Sequence, residues 1–145
     1  MPFRGSHTTT VDEKGRLKVP AEYKATAEEE CGPDFYVTSF DDGQSAMIYP
    51  SKVWAEIEKK LAALPSMNED KRTFLEHTNR WGGMAKIDGQ GRILIPAQLR
   101  EPALMKGEVR VMGFLDYLQA WNRERHDQQL GQNPLTREIL ARLGV

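Results

Sequence analysis

The phrase DEKGRLKVP, beginning at Asp12, returns as DGQGRILIP at Asp88, an offset of 76 residues. Overlaid at that offset, Asp12 meets Asp88, Gly15 meets Gly91, Arg16 meets Arg92, Pro20 meets Pro96 and Ala21 meets Ala97. Apolar character is kept as well: Val11 with Ile87, Leu17 with Ile93, Val19 with Ile95. The chain is therefore an internal duplication whose unit is about half of its 145 residues. A unit that short buries only a marginal core alone, so the repeats are expected to share one.

Each phrase has legible local chemistry. TTTV before Asp12 is β-branched and strand-prone, and RLKV after the turn alternates, with Leu17 and Val19 on one face and Arg16 and Lys18 on the other. Asp at the first turn position and Gly at the fourth suit a type I turn followed by a residue at positive φ, which predicts a tight β-hairpin with an arginine at its mouth. Pro20 and Pro96 have no N–H for a sheet ladder, so the strands should stop there and short helices begin over AEYK and AQLR. In the second copy Leu94 replaces Lys18, leaving that strand apolar on both faces and expected to be covered on both.

Downstream of each hairpin, FYVTSFDDGQSAMIYPSKVW and VRVMGFLDYLQAWNRER each read as strand, turn, strand and a polar residue opening a helix. Ser51 is placed to cap a helix with Val53, Trp54, Ile57, Leu61 and Leu64 along one stripe, ended by Pro65. A second helix is expected from Glu69 to Arg80, broken by Gly82 and Gly83. Asn122 and Asn133-Pro134 should open two more, the last with Leu135, Ile139, Leu140 and Leu143 on one side.

Charge excludes a general polycation: twenty Lys and Arg stand against twenty-one Asp and Glu, for a net charge of -1. An anionic partner must be met by a local patch. One exists, because residues 1 to 24 hold Arg4, Lys14, Arg16, Lys18 and Lys24 against Asp12, Glu13 and Glu22. The single cysteine, Cys31, excludes an internal disulfide framework and points to a reducing cytosol, and no apolar run is long enough to suggest an export signal or membrane span. His7, His77 and His126 lack metal-ligand spacing and read as surface or half-buried residues, and neither a phosphate loop nor a nucleophile elbow is present, so no cofactor or metal is expected.

Two functional classes remain. An enzyme would pair Asp12 and Asp88 across a pseudo-two-fold axis as a carboxylate dyad sharing one proton. Each aspartate, however, opens a tight turn, where its side chain accepts backbone N–H bonds. A binding protein would use the basic hairpins, since a two-stranded ribbon fits the DNA major groove and arginine suits bidentate contact to guanine or phosphate. Against a role for the arginines in contact stands a simpler one, a salt bridge to the aspartate four residues earlier.

VDEKGRLKVP and IDGQGRILIP, together with FRG at Phe3 to Gly5, resemble the paired motifs of the MraZ family of transcription factors, and the likeness covers nearly the whole chain. The resemblance implies an α+β fold with a mainly β core, in which two AbrB-like repeats interlock as a pseudo-dimeric swapped-hairpin β-barrel with peripheral helices. Residues 1–81 would form the first repeat and 82–145 the second. It further implies a non-enzymatic, cytoplasmic and nucleoid-associated regulator of bacterial division and cell-wall genes, binding short tandem boxes upstream of its own operon as a ring of identical subunits. The family's DNA-contacting arginine falls on Arg16 and Arg92, with Asp12 and Asp88 bracing the hairpins; the local basic patch adds Lys14, Lys18 and Arg4 as candidate contacts, and the turn chemistry adds Gly15 and Gly91 as hairpin-shaping residues. Gln90 in place of Lys14 and Leu94 in place of Lys18 make the second hairpin less basic. The alternative from another class is an oligomeric scaffold whose hairpins hold a protein partner.

Overall fold

A computed structural model describes residues 2–145. The first hairpin pairs β1 (Ser6–Val11) with β2 (Arg16–Lys18), and α1 (Ala21–Glu30) follows. Strands β3 (Asp34–Thr38) and β4 (Ala46–Pro50) form a second hairpin, leading into α2 (Ser51–Ala62) and α3 (Glu69–Trp81). The order then repeats: β5 (Gly83–Lys86), β6 (Arg92–Leu94), α4 (Ala97–Arg100), β7 (Gly107–Gly113), β8 (Leu118–Asn122), α5 (Arg123–Gln132) and α6 (Arg137–Leu143).

All eight strands belong to one sheet, in the order β5-β3-β4-β8-β7-β1-β2-β6. Its two end strands, β5 and β6, are the arms of one tight hairpin, joined by the bond from Asp88 N–H to the Arg92 carbonyl at 2.9 Å. The sheet therefore curls into a nearly closed barrel, which leaves little edge exposed.

The pairing is exchanged between repeats. β1 of the first repeat lies against β7 of the second, and β5 of the second lies against β3 of the first. β2 and β6 meet antiparallel with Leu17 opposite Ile93, two equivalent residues, so a pseudo-two-fold axis passes through that pair. On the far wall it passes through Met47 and Gln119, where β4 meets β8. Leu17, Val19, Ile93 and Ile95 are all buried in one interior cluster with Phe3, Phe35, Val37, Val109 and Val111. Each such side chain removed from water contributes roughly 1.5–3 kcal/mol, and both repeats supply them.

The helices sit outside. Trp54 of α2 and Phe74 of α3 cover Met47 and Tyr49 on the outer face of β4. Pro20 and Pro96 end their strands as expected but occupy the position before the helix, with ψ of 137° and 135°. Three details differ from what the sequence suggests. Pro50 rather than Ser51 precedes α2, and no side chain caps it. The last helix opens at Thr136, whose hydroxyl accepts from the Ile139 N–H at 3.2 Å, rather than at Asn133. Leu94 is 50% exposed, so the outer face of β6 is uncovered, because no helix among the described residues crosses β2 and β6 as α2 and α3 cross β4.

Candidate nucleic-acid interface

Both hairpin turns close in the same way. Gly15 N–H bonds to the Asp12 carbonyl at 3.0 Å and Gly91 N–H to the Asp88 carbonyl at 3.0 Å. The glycines stand at φ +83° and +76°, the left-handed region that side chains avoid. In the first turn Asp12 Oδ1 accepts from the N–H of Lys14 at 3.0 Å and of Arg16 at 2.9 Å, and Oδ2 accepts from Arg16 Nε at 2.7 Å. In the second, Asp88 Oδ1 accepts from Gln90 N–H and Arg92 N–H, both at 2.9 Å, and Oδ2 from Arg92 Nε at 3.0 Å.

One carboxylate thus shapes a turn and grips the arginine that leaves it. The backbone N–H of Arg16, first among the causes, holds the Asp12 carboxyl below its ordinary range, and the N–H of Arg92 does the same for Asp88. Both carboxylates bond to N–H donors of their own hairpins rather than share a proton as a dyad would. The aspartate takes only Nε. The Nη groups make no hydrogen bond to that aspartate, although Arg92 Nη1 approaches Asp12 Oδ2, of the other hairpin, at 3.8 Å.

Strand alternation sets what this surface presents. Leu17 and Ile93 point into the barrel, so Arg16, Lys18, Arg92 and Leu94 point out. Arg16 stands opposite Leu94, and Lys18 opposite Arg92. The ammonium of Lys18 donates to the Gln90 carbonyl, tying one strand to the other repeat's turn. Lys14 is exposed at its turn.

Two cations outside the repeated phrases complete the face. Arg100 of α4 lies across Gly15 of the opposite repeat and donates from Nε to the Ile95 carbonyl at 2.8 Å. Its counterpart at the same offset, Lys24 of α1, lies beside Gly91 and pairs with Glu28 at 3.8 Å. Both stand four residues beyond the proline that closes each phrase, a spacing visible once the repeats are overlaid. Arg4 is not part of this cluster. It precedes β1 at the end far from the turn, about 25 Å along the strand from Asp12.

Among the described residues, no cluster of His, Cys, Asp and Glu could hold a metal ion, and no helix is long and apolar enough to cross a membrane. His126 departs from the sequence expectation: it is buried, stacked on Trp121, with Nδ1 2.9 Å from Arg110 Nη1. Burial first, then the Arg110 charge, lowers its pKa against the opposing pull of Asp127, and its ring packs α5 onto Trp121 of β8 and Arg110 of β7.

The family model described as "MraZ protein, putative antitoxin-like" matches residues 2–77 and 84–141 of the chain. A transcriptional regulator MraZ of Acidobacterium capsulatum is 47% identical, and 99% of each chain is covered. That of Koribacter versatilis is also 47% identical over 99% of both. The Moorella thermoacetica protein of the same name is 36% identical, covering 96% of this chain and 94% of its own.

Proposed function

The chain belongs to the MraZ family, and from that premise we propose that it is a sequence-specific DNA-binding regulator of bacterial cell-division and cell-wall genes. It is a transcriptional regulator, as the relatives are named, and it acts by binding rather than by catalysis. It acts at the nucleoid on short tandem boxes upstream of its own operon. Residues 1–81 and 82–145 work as one binding unit, because each hairpin lies against the other repeat's strand.

The observation that carries this reading is the aspartate brace. Arg16 Nε is held at 2.7 Å on a ribbon that faces outward, leaving the paired Nη groups for bidentate contact with guanine O6 and N7. Pre-ordering the side chain reduces the entropic cost of binding. Lys14, Lys18, Lys24 and Arg100 add phosphate contacts around it, and Arg92 repeats the arrangement in the second hairpin.

One protomer carries few such contacts in a chain of net charge -1, so useful affinity requires several protomers on one DNA. A ring of identical subunits, each offering its ribbon to one side of the duplex, meets that requirement if boxes recur about every 10–10.5 bp. A gel-shift titration with the upstream DNA tests the scheme. Scrambling the boxes should abolish the complex, and inserting roughly half a helical turn between two boxes should lower affinity toward that of a single box. Binding indifferent to scrambling would leave the protein-scaffold reading, and indifference to the half-turn alone would leave independently binding subunits.

A further inference from the structure

The outward face of β2 and β6 is symmetric in backbone but not in side chains. At one end Arg16 stands opposite Leu94, and at the other Lys18 stands opposite Arg92. Three of these four groups are cations, whereas the fourth, Leu94, is a leucine left 50% exposed, outside both of the protein's buried apolar clusters. Its equivalent in the first repeat is Lys18, whose ammonium reaches the Gln90 carbonyl. A leucine can make no such polar link, and this one contributes nothing to the barrel interior.

We propose that Leu94 is a specificity residue that packs on the C5-methyl group of a thymine in the major groove, beside the base pair that Arg16 contacts. The inference rests on the DNA-binding reading. In the major groove thymine is the base with an apolar group on its exposed edge, and the side chains that recognise it are apolar. Directly opposed residues on antiparallel strands have Cβ atoms about 4.5–5.5 Å apart, and stacked base pairs rise about 3.4 Å. Leu94 therefore falls within one or two base pairs of the Arg16 contact. A dry protein interface is the other use of an exposed leucine, but interface cores are depleted in charge. Here the neighbouring residue is an arginine of the same outward face, its guanidinium bonded to Asp12 through Nε.

The experiment uses the full chain and upstream DNA in which each thymine of the box is replaced in turn by uracil, which removes the methyl group and nothing else. Affinities are measured by fluorescence anisotropy for the natural protein and for Leu94→Ala. At one position, within two base pairs of a guanine whose contribution disappears in Arg16→Ala, the natural protein should bind about four-fold more weakly per box, the factor expected from one buried methyl group. Leu94→Ala should bind the thymine and uracil DNAs equally, with an unchanged subunit number by light scattering. Indifference of the natural protein to every uracil, or an undiminished uracil effect in Leu94→Ala, overturns the proposal. A changed subunit number in Leu94→Ala assigns the residue to a subunit interface instead and also overturns it. Failure of the natural protein to bind the unmodified DNA is a separate result, which removes the DNA-binding reading and this inference with it.

Discussion

The first hairpin and the second share a backbone and differ in grip. Asp12 holds Arg16 at 2.7 Å with that side chain 33% exposed, whereas Asp88 holds Arg92 at 3.0 Å with 24% exposed and a second acid, Asp12, at 3.8 Å. Lys14 and Lys18 of the first copy are Gln90 and Leu94 in the second. Duplication preserved what closes the turn, the aspartate, the positive-φ glycine and the arginine. It left free what surrounds the turn. Both copies thus keep a braced arginine on its turn, and the two hairpins differ in the side chains that stand around it.

The largest expected effect comes from the arginines. Arg16→Ala should weaken binding to upstream DNA by roughly five- to 150-fold for each arginine–guanine pair it removes, from about 1–3 kcal/mol per good bidentate pair. Arg92→Ala should cost less, because its guanidinium is more covered and partly engaged by Asp12. Circular dichroism should show both variants folded. The reverse ranking in an anisotropy titration would make the second hairpin the principal reader, and unfolding of Arg16→Ala would make that residue structural.

Smaller effects are expected at the glycines. Alanine at either position meets the left-handed backbone penalty of about 1–2 kcal/mol. At Gly91 an added Cβ finds Lys18 Nζ and Lys24 Cδ at 3.4 Å, an ordinary contact, whereas at Gly15 it collides with the Arg100 side chain. That side chain is held by its bond to the Ile95 carbonyl, so displacing it removes about a further 0.5–1.5 kcal/mol. Urea unfolding should therefore place Gly15→Ala below Gly91→Ala. Equal midpoints would mean that Arg100 moves aside at no cost.

The smallest difference concerns pH. Both aspartates have folded-state pKa values below the ordinary ~3.9, so each contributes stability that is present above that value and declines as pH falls through the folded pKa. The window is below about pH 4 for both hairpins. Because the leading cause for Asp12 is the backbone N–H of Arg16, which alanine also supplies, Arg16→Ala should return its pKa only part of the way. Carboxyl NMR titration measures this, and a full return would put the side-chain bond first.

Much of the fold and site was legible in the residues because turn chemistry is local. Asp, Gly and Arg at fixed spacing dictate the hairpin and its internal bonds without any tertiary contact. Sequence reasoning goes astray where a distant element decides the outcome. Strand β4 and strand β6 both have apolar residues facing outward, yet helices cover Met47 and Tyr49 while Leu94 stays half exposed. His126 reads in the sequence as a surface or half-buried histidine, but the fold buries it beside Arg110 and Trp121. The Lys24 and Arg100 pair is readable from the overlay alone, but their positions over the opposite repeat's turns follow from the exchange of hairpins.

That exchange also has a temporal side. Strand β1 finds its long partner in β7, which begins at Gly107, so roughly a hundred residues of synthesis, on the order of 5–20 s at ribosomal rates, separate the two. During that interval the nascent chain carries a β-branched strand, HTTTV, paired with β2 on one edge while the edge that β7 later takes has no permanent partner. Non-local pairing of this kind makes folding slow relative to a chain of local hairpins. The waiting strand can also be captured by another nascent copy, so newly made chains are most exposed to misassembly before residue 107 emerges, and crowding of translating ribosomes on one message sharpens that competition.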